Sequence, residues 1–155
     1  MNQERIIYSI GHSSLSIDQF LQLLNSFQIR ALVDVRRFPS SKKYPHFERT
    51  IFHHALQQVN IEYHWLGDSL GGFRDGGYQA HMQTDLFSQG LHQLIVVATQ
   101  HLTAFMCAEK LFFRCHRRFI SDQLANQGWT VIHIFDDSRI YLHQHTDTLP
   151  FDFTI

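Results

Sequence analysis

Cysteine is scarce in this chain of 155 residues: two cysteines are too few for a disulfide scaffold or a four-cysteine zinc site. Charge of one sign is also lacking, since 13 lysines and arginines against 14 aspartates and glutamates give a formal net charge of −1. Bulk electrostatics therefore does not indicate a nucleic-acid-binding protein, although the 12 histidines make the chain cationic somewhat below neutral pH.

Long hydrophobic runs are missing as well. No stretch reaches the roughly 18 apolar residues of a membrane-spanning helix, and the first residues lack the basic flank and apolar core of a secretory signal peptide. These absences predict a cytoplasmic protein with reduced thiols and no membrane partner. What the chain does contain is 44% hydrophobic residues, including 14 phenylalanines, which favours one globular domain with an aromatic core.

Short apolar runs alternate with amphipathic stretches along the chain. The runs typical of buried strands are 6–10, 31–35, 62–66, 103–107 and 130–135. The stretches with apolar residues at helical spacing are 17–24, 52–59, 87–98 and 119–127. This alternation predicts an α/β fold with three layers, in which a mostly parallel sheet of about five strands carries helices on both faces.

The alternation ends near residue 135, which sets the predicted domain boundary. Residues 1–135 are expected to form a single α/β domain, and 136–155 a C-terminal extension with an edge strand at 140–142 and a polar tail. Residues 67–77 hold five glycines and are expected to be a loop that closes over a site. This loop lacks both the P-loop lysine pattern and the dinucleotide-binding glycine pattern.

Polar residues concentrate where the predicted strands end. In open parallel sheets, ligands bind beyond the carboxyl ends of the strands, so these residues are the first candidates for function. The candidates are Gly11, His12, Ser13, Asp34, Arg36, Cys107, Glu109, Cys115, His116 and Arg117.

Cys115 is the most distinctive of them, because it precedes a predicted helix and has Arg114, Arg117 and Arg118 beside it. Free amides, the helix dipole and neighbouring arginines all stabilise a thiolate, so the sequence predicts a lowered thiol pKa and a candidate nucleophile. The same surroundings suit a bound phosphate or carboxylate. The alternative is a half-buried cysteine that happens to lie beside surface arginines.

Three further residues are candidates for catalysis. Glu109 becomes a general acid or base if its pKa is raised, and otherwise forms a salt bridge with an arginine. His12 follows a glycine turn and is a second candidate for proton transfer. Cys107 ends a buried strand, so it is either a small core residue or a second catalytic thiol.

Asp34 lies inside the otherwise apolar run 32–35. Burial of an unpaired carboxylate is unfavourable, so we expect a partner, either Arg36 or Arg117. Asp34 is thus either a catalytic carboxylate or one half of a structural ion pair.

Basic residues also gather at two of the strand ends, and together they predict an anion-binding rim. Seven of the thirteen lysines and arginines lie at these two strand ends: Arg36, Arg37, Lys42, Lys43, Arg114, Arg117 and Arg118. The expected ligand is an anionic small molecule, phosphate-bearing or nucleotide-like, with a nucleic-acid backbone as the alternative. The residues assigned to substrate binding are Gly11, Ser13, Arg36, Gly71, Gly72, His116 and Arg117. Other histidines, including His53, His54, His143 and His145, are interpreted as solvated.

Two specific chemistries fit the sequence poorly. A phosphatase or sulfurtransferase loop needs an arginine a few residues after the cysteine and glycine between them, whereas six non-glycine residues separate Cys107 from Arg114. A zinc site would have to use Cys115 and His116, which are adjacent and lack the usual ligand spacing. The sequence therefore predicts neither a metal nor another cofactor.

Several motifs, in order, resemble those of the DUF488 family, a domain of unknown function. They are Ser9-Ile10-Gly11-His12-Ser13, Leu32-Val33-Asp34-Val35-Arg36-x-x-Pro39-x-Ser41, Leu66-Gly67-x-x-Leu70-Gly71-Gly72, Cys107-x-Glu109 and Cys115-His116-Arg117. The resemblance extends to about residue 135 and implies a compact α/β domain of bacterial or archaeal type with these motifs as its signature. It implies no particular reaction.

Three hypotheses remain open at this stage. The first is an enzyme that acts on an anionic substrate at the strand ends. The second is a non-catalytic module that binds nucleic acid or protein through the basic rim. The third is a thiol redox protein that uses Cys107 and Cys115.

Overall fold

The computed structural model describes residues 4–144, which contain a six-stranded sheet. Its strands are β1 (Ile6–Gly11), β2 (Ala31–Asp34), β3 (Glu62–Trp65), β4 (Thr103–Cys107), β5 (Thr130–Ile134) and β6 (Ile140–Leu142). In space their order is β3-β2-β4-β1-β5-β6. The first five are parallel and β6 pairs antiparallel with β5. The predicted mostly parallel sheet is confirmed, and residues 140–142 form the edge strand expected there.

Helices connect the strands. They are α1 (Ile17–Ser26), α2 (Arg49–Gln58), α3 (Gly67–Leu70), α4 (Tyr78–His81), α5 (Asp85–Gln100) and α6 (Arg117–Asn126), with 3-10 turns at Pro45–Phe47 and Phe112–Arg114. Ser16 and Gln19 form a capping box at the start of α1. The expectation that 67–77 is entirely a loop is wrong for its first four residues, which form α3. No helix among residues 4–144 is long and apolar enough to span a membrane.

The sheet separates two apolar cores, because successive strand residues point to opposite faces. On one face Val33 and Phe105 belong to a buried cluster that includes Leu94 of α5 and Ile120 of α6. On the other face, Leu32, Ala104 and Met106 pack with buried residues of α1 and α2, Phe20 and Phe52 among them. Helices therefore cover both faces, and the three-layer prediction is confirmed.

The topology creates a crevice where β1 and β4 end. These strands are neighbours, and Gly11 pairs with Cys107 in their register. After β1 the chain crosses to β2, whereas after β4 it crosses to β5 on the other side of β1. Connections that leave in opposite directions open a crevice at the carboxyl ends of the strands, which is where such sheets bind ligands.

Candidate active site

A cavity of about 1120 Å³ opens at this crevice. Its lining includes His12 after β1, Arg36 after β2, Cys107 at the end of β4, and Glu109 and Cys115 in the segment that follows. The predicted site residues Ser13, Gly72 and His116 line it too. The remaining ones, Gly11, Asp34, Gly71 and Arg117, are buried and do not line it.

The two cysteines are in contact at the cavity wall. Their Sγ atoms are 3.3 Å apart, with Cys107 buried and Cys115 half-buried. The Nε of Arg117 donates to the Cys107 sulfur at 3.0 Å, and the backbone N–H of Arg117 donates to the Cys115 sulfur at 3.3 Å. Both thiols thus share one arginine at the first residue of α6, where the helix dipole also favours negative charge.

The negative charge of this pair resides on Cys115. Burial alone would raise its pKa, but the hydrogen bond from Cys107 and the positive charge of Arg117 outweigh burial and hold the pKa well below its usual value. Burial, together with that same hydrogen bond to Cys115, raises the pKa of Cys107 well above its usual value. The arrangement therefore favours ionisation of Cys115 at the cavity wall over ionisation of Cys107 behind it.

Arg117 is fully buried beneath the thiols and does not reach the rim where the sequence analysis placed it. All three of its guanidinium nitrogens are bonded. Besides the Cys107 contact, Nη1 donates to Ser9 Oγ at 2.8 Å, and Nη2 donates to the carbonyls of Glu109 at 2.5 Å and Lys110 at 3.2 Å. Arg117 is therefore the counter-ion of the thiolate and not a direct ligand for substrate.

Asp34 is paired with Arg36, one of the two partners considered from the sequence. Arg36 donates from Nε to Oδ1 at 2.9 Å and from Nη2 to Oδ2 at 2.8 Å, and its backbone N–H adds a bond to Oδ1 at 3.0 Å. Tyr63 donates its hydroxyl to the same carboxylate at 2.5 Å. Burial and the Asp34 charge raise the pKa of Tyr63, which keeps the phenol protonated as a donor. This arrangement holds Asp34 away from the cavity and positions Arg36 at its wall.

His12 is a neutral imidazole. Burial, with a smaller contribution from the charge of Arg36, lowers its pKa to about 4. Its Nδ1–H donates to the Ser13 carbonyl at 2.9 Å, which leaves Nε2 as an acceptor 3.5 Å from Nη1 of Arg36. The ring stacks on Phe47 with 4.1 Å between centroids. The unprotonated Nε2 therefore acts as a hydrogen-bond acceptor at neutral pH.

The backbone amides of His12 and Ser13 are already bonded within the protein. The amides of His12 and Ser13 donate to the carbonyls of Cys107 and Ala108, each at 2.9 Å, and so extend the ladder between β1 and β4. Side chains therefore carry most of the positive potential of this cavity.

Glu109 and His116 lie on different parts of the wall. Glu109 is exposed at the rim, where its Oε1 accepts from the amide of Leu111 at 3.1 Å. His116 donates from Nε2 to the Val35 carbonyl at 2.8 Å, and burial lowers its pKa, so its ring is neutral. A Cβ on Gly72 would lie 3.2 Å from His116 Nδ1, so glycine allows the segment after α3 to lie close to this ring.

Positive charge dominates the cavity lining. Among residues 4–144, the basic side chains of the lining are Arg36, Arg37, Lys43, Arg74, Arg114 and Arg118, and Glu109 is its one carboxylate. The sequence analysis did not select Arg74, although it is the one cationic residue of segment 67–77. Arg74 donates to the Gly71 carbonyl at 2.9 Å, which ties this segment to the cavity edge.

Two exposed phenylalanines also flank the opening, and sequence reasoning missed both. Phe38 and Phe73 are 62% and 83% exposed, and their ring centroids are 6.1 Å apart. Exposed aromatic rings beside arginines offer faces on which a planar group can stack.

The interpretation of His143 as a solvated residue is wrong. Its side chain is fully buried and bonds to Asp122 and to His133, another buried histidine that the sequence analysis did not select. His145 lies outside the described residues. Among residues 4–144 no three or more histidine, cysteine, aspartate or glutamate side chains are grouped so as to hold a metal ion.

Fold and site together define a parallel α/β protein with a thiol pair in a basic cavity at the strand ends. The chain belongs to the DUF488 family: it matches the family described as "Domain of unknown function DUF488" over residues 16–124, more than half of its length. No curated protein and no solved structure matches it significantly. The matched segment contains Cys107, Cys115 and Arg117, whereas His12 precedes it and His133 follows it.

Proposed function

We propose that this protein is an enzyme that acts on an anionic substrate through the Cys115 thiolate. The observation that carries the proposal is the position of the Cys115 sulfur at the wall of a basic cavity, 3.3 Å from the sulfur of Cys107 and bonded to the backbone amide of Arg117. The thiolate is the nucleophilic form of cysteine, and a lowered pKa increases its share at neutral pH.

The lining favours a substrate with negative charge and a planar group. Among the described residues, the lining carries six basic side chains and one carboxylate, that of Glu109, and Arg36 is neutralised by its ion pair with Asp34. Phe38 and Phe73 at the rim supply faces for a base or another ring. A phosphate-bearing, nucleotide-like compound combines both properties.

Two further residues of the cavity lining would act on the substrate beside the thiolate. His12 has an unprotonated Nε2 and would accept a hydrogen bond from a substrate or from water. Glu109 presents a carboxylate at the rim and would serve as the acid–base group. Cys115 would form the bond to the electrophilic centre of the substrate while the leaving group departs towards these residues.

Alkylation of Cys115 tests this function without knowledge of the substrate. We expect iodoacetamide to modify Cys115 almost as fast at pH 7 as at pH 9, because the rate follows the thiolate fraction; an ordinary thiol (pKa about 8.5) reacts more slowly by roughly tenfold per pH unit below its pKa. Peptide mass spectrometry locates the adduct, and Cys115→Ser is the control. We also expect phosphate, sulfate or a nucleoside monophosphate to slow the alkylation and raise Tm.

Two outcomes would contradict this proposal. One is a Cys115 thiol that titrates at or above about pH 8.5; the other is the absence of both protection and a Tm shift with every anion. Salt-sensitive binding of generic DNA or RNA that leaves Cys115 alkylation unchanged would favour the binding module instead.

Thiol redox chemistry is a second candidate, favoured by the contact between the two sulfurs. With hydrogen peroxide, the Cys115 thiolate would attack one oxygen and release hydroxide, giving a sulfenic acid. Cys107 would then displace the hydroxyl group, and its proton would leave with it as water. We expect an intramolecular disulfide, seen as the loss of two hydrogens in the intact mass and reversed by dithiothreitol. Sulfinic acid at Cys115 beside an unmodified Cys107 thiol would exclude the redox pair.

A further inference from the structure

A continuous chain of buried hydrogen bonds connects Arg117 to Asp122. Nη1 of Arg117 lies 2.8 Å from Ser9 Oγ, which lies 2.5 Å from His133 Nδ1. His133 Nε2 is 2.8 Å from His143 Nδ1, and His143 Nε2 is 2.8 Å from Asp122 Oδ1. Arg117, Ser9, His133 and Asp122 are each exposed by 5% or less. The side chain of His143 is fully buried. The chain brings together β1, α6, β5 and the residue after β6.

Donor and acceptor chemistry fixes the direction of this chain. A guanidinium only donates and a carboxylate only accepts, so two neutral imidazoles between them leave Ser9 Oγ as the acceptor from Arg117 and its hydroxyl as the donor to His133 Nδ1. An unprotonated Nδ1 places the proton of His133 on Nε2, which donates to His143 Nδ1. His143 then carries its proton on Nε2 and donates to the Asp122 carboxylate. Every bond runs from the cation towards the anion, and aligned bonds of this kind polarise one another.

The environment keeps His133 neutral and fixed. Burial, then the positive charge of Arg117, hold its pKa well below the usual value. Its ring lies flat on Phe112, with 3.7 Å between centroids and 3° between planes. A neutral ring with one donor and one acceptor nitrogen is what the directed chain requires.

None of the residues beyond Arg117 in this chain lines the cavity, so they cannot contact substrate there. Their connection to the site runs through Arg117, which lies beneath both sulfurs. The Nη1 of Arg117 donates to Ser9 Oγ, and its Nη2 donates to the carbonyls of Glu109 and Lys110. A guanidinium anchored on two sides directs its remaining donor, Nε, at the Cys107 sulfur.

We propose that His133, His143 and Asp122 are positioning residues which, through Ser9, hold Arg117 against the thiol pair and so maintain the Cys115 thiolate. The role they serve rests on the proposed function, since it is the nucleophile of that function that they support. Neither the histidines nor Asp122 takes part in a covalent step. Residues 133 and 143 lie after the segment matched to the family. The chain of hydrogen bonds therefore extends the site beyond that segment.

The alkylation profile of Cys115 tests the proposal directly. In His133→Phe the ring can still stack on Phe112, but both hydrogen bonds are lost. We expect the midpoint of the alkylation rate plotted against pH to rise by about one pH unit. At pH values below the midpoint this is equivalent to roughly tenfold slower alkylation. His92→Phe, at an exposed position of α5, is the matched control and is expected to leave the midpoint unchanged.

Asp122→Asn separates positioning from a direct charge effect, because the two have opposite signs. Loss of a negative charge acting through space would lower the midpoint by stabilising the thiolate. Weaker anchoring of Arg117 raises it, which is the result we expect. A midpoint that stays constant or falls in both folded variants would overturn the proposal.

The tautomers of the wild-type histidines provide a test that no misfolded variant can obscure. Long-range ¹H–¹⁵N spectra are expected to show His133 and His143 both protonated at Nε2 and unprotonated at Nδ1 near neutral pH. The opposite tautomer at either ring would overturn the directed chain. If Cys115 is reactive but its alkylation midpoint is the same in these variants as in the wild type, only this inference is overturned. If Cys115 shows no nucleophilic role, the proposed function is overturned.

Discussion

Arg117→Met is expected to lower the free energy of unfolding by about 3–5 kcal/mol and to raise the pKa of the Cys115 thiol towards its usual value. The substitution retains an apolar stem but removes the donors to Cys107, to Ser9 and to the carbonyls of Glu109 and Lys110. Buried groups left without partners lose the stability that pairing gave them. Urea denaturation measures the first effect, and the pH dependence of iodoacetamide alkylation measures the second.

Two further variants separate these effects. Arg117→Lys keeps the charge but not the planar fork, so we expect partial recovery of the low thiol pKa and poor recovery of stability. Arg114→Met removes an exposed arginine next to Cys115 in the chain and should change stability by less than about 0.5 kcal/mol. If Arg117→Met left both stability and the thiol titration as in the wild type, Arg117 would not be the counter-ion described above.

Gly11→Ala is expected to prevent stable folding or to destabilise the protein by about 3 kcal/mol or more, at or beyond the upper end of ordinary overpacking. A Cβ at this position would lie 1.8 Å from the Glu109 carbonyl oxygen and 2.8 Å from the Lys110 Cα. Both atoms belong to the backbone, so no side-chain rotation can relieve the contact. The Glu109 carbonyl also accepts from Nη2 of Arg117, so the thiol site should be disturbed as well.

Gly72→Ala is the matched control, because its Cβ would meet only the His116 ring, with the nearest atom at 3.2 Å. We expect this variant to fold with a loss much smaller than that of Gly11→Ala. Chemical denaturation of the two purified variants compares them. Equal stability of the two would show that β1 and the Glu109 segment do not require the close approach seen here.

Local sequence patterns were sufficient for much of the fold. Apolar runs and helical spacing identified the strands and the longer helices, because period and capping are properties of neighbouring residues. The Ser16–Gln19 capping box lies at the start of α1, and Gly128, at a φ of +90°, follows the end of α6. The sequence does not predict the short helix α3, because a helix of four residues in a glycine-rich segment has no periodic pattern of apolar residues.

The candidate site could be located from the sequence only as a set of strand ends. Cys115 was singled out from its own neighbours, and the structure places it in the cavity with Cys107. The burial of Arg117 could not be inferred, because its acceptors are Ser9, more than one hundred positions away, and backbone carbonyls whose location depends on the folded loop. His143 was misread because its burial depends on β6 pairing with β5, which returns it to a position beside His133.

Periodicity along the chain is sufficient to predict the layered α/β architecture and the residues at the strand ends. Which side chains meet depends on tertiary contacts: the two sulfurs touch, Arg117 lies beneath them, and two histidines connect it to Asp122. Burial and hydrogen-bond partnership arise between segments distant in sequence, where no local pattern records them.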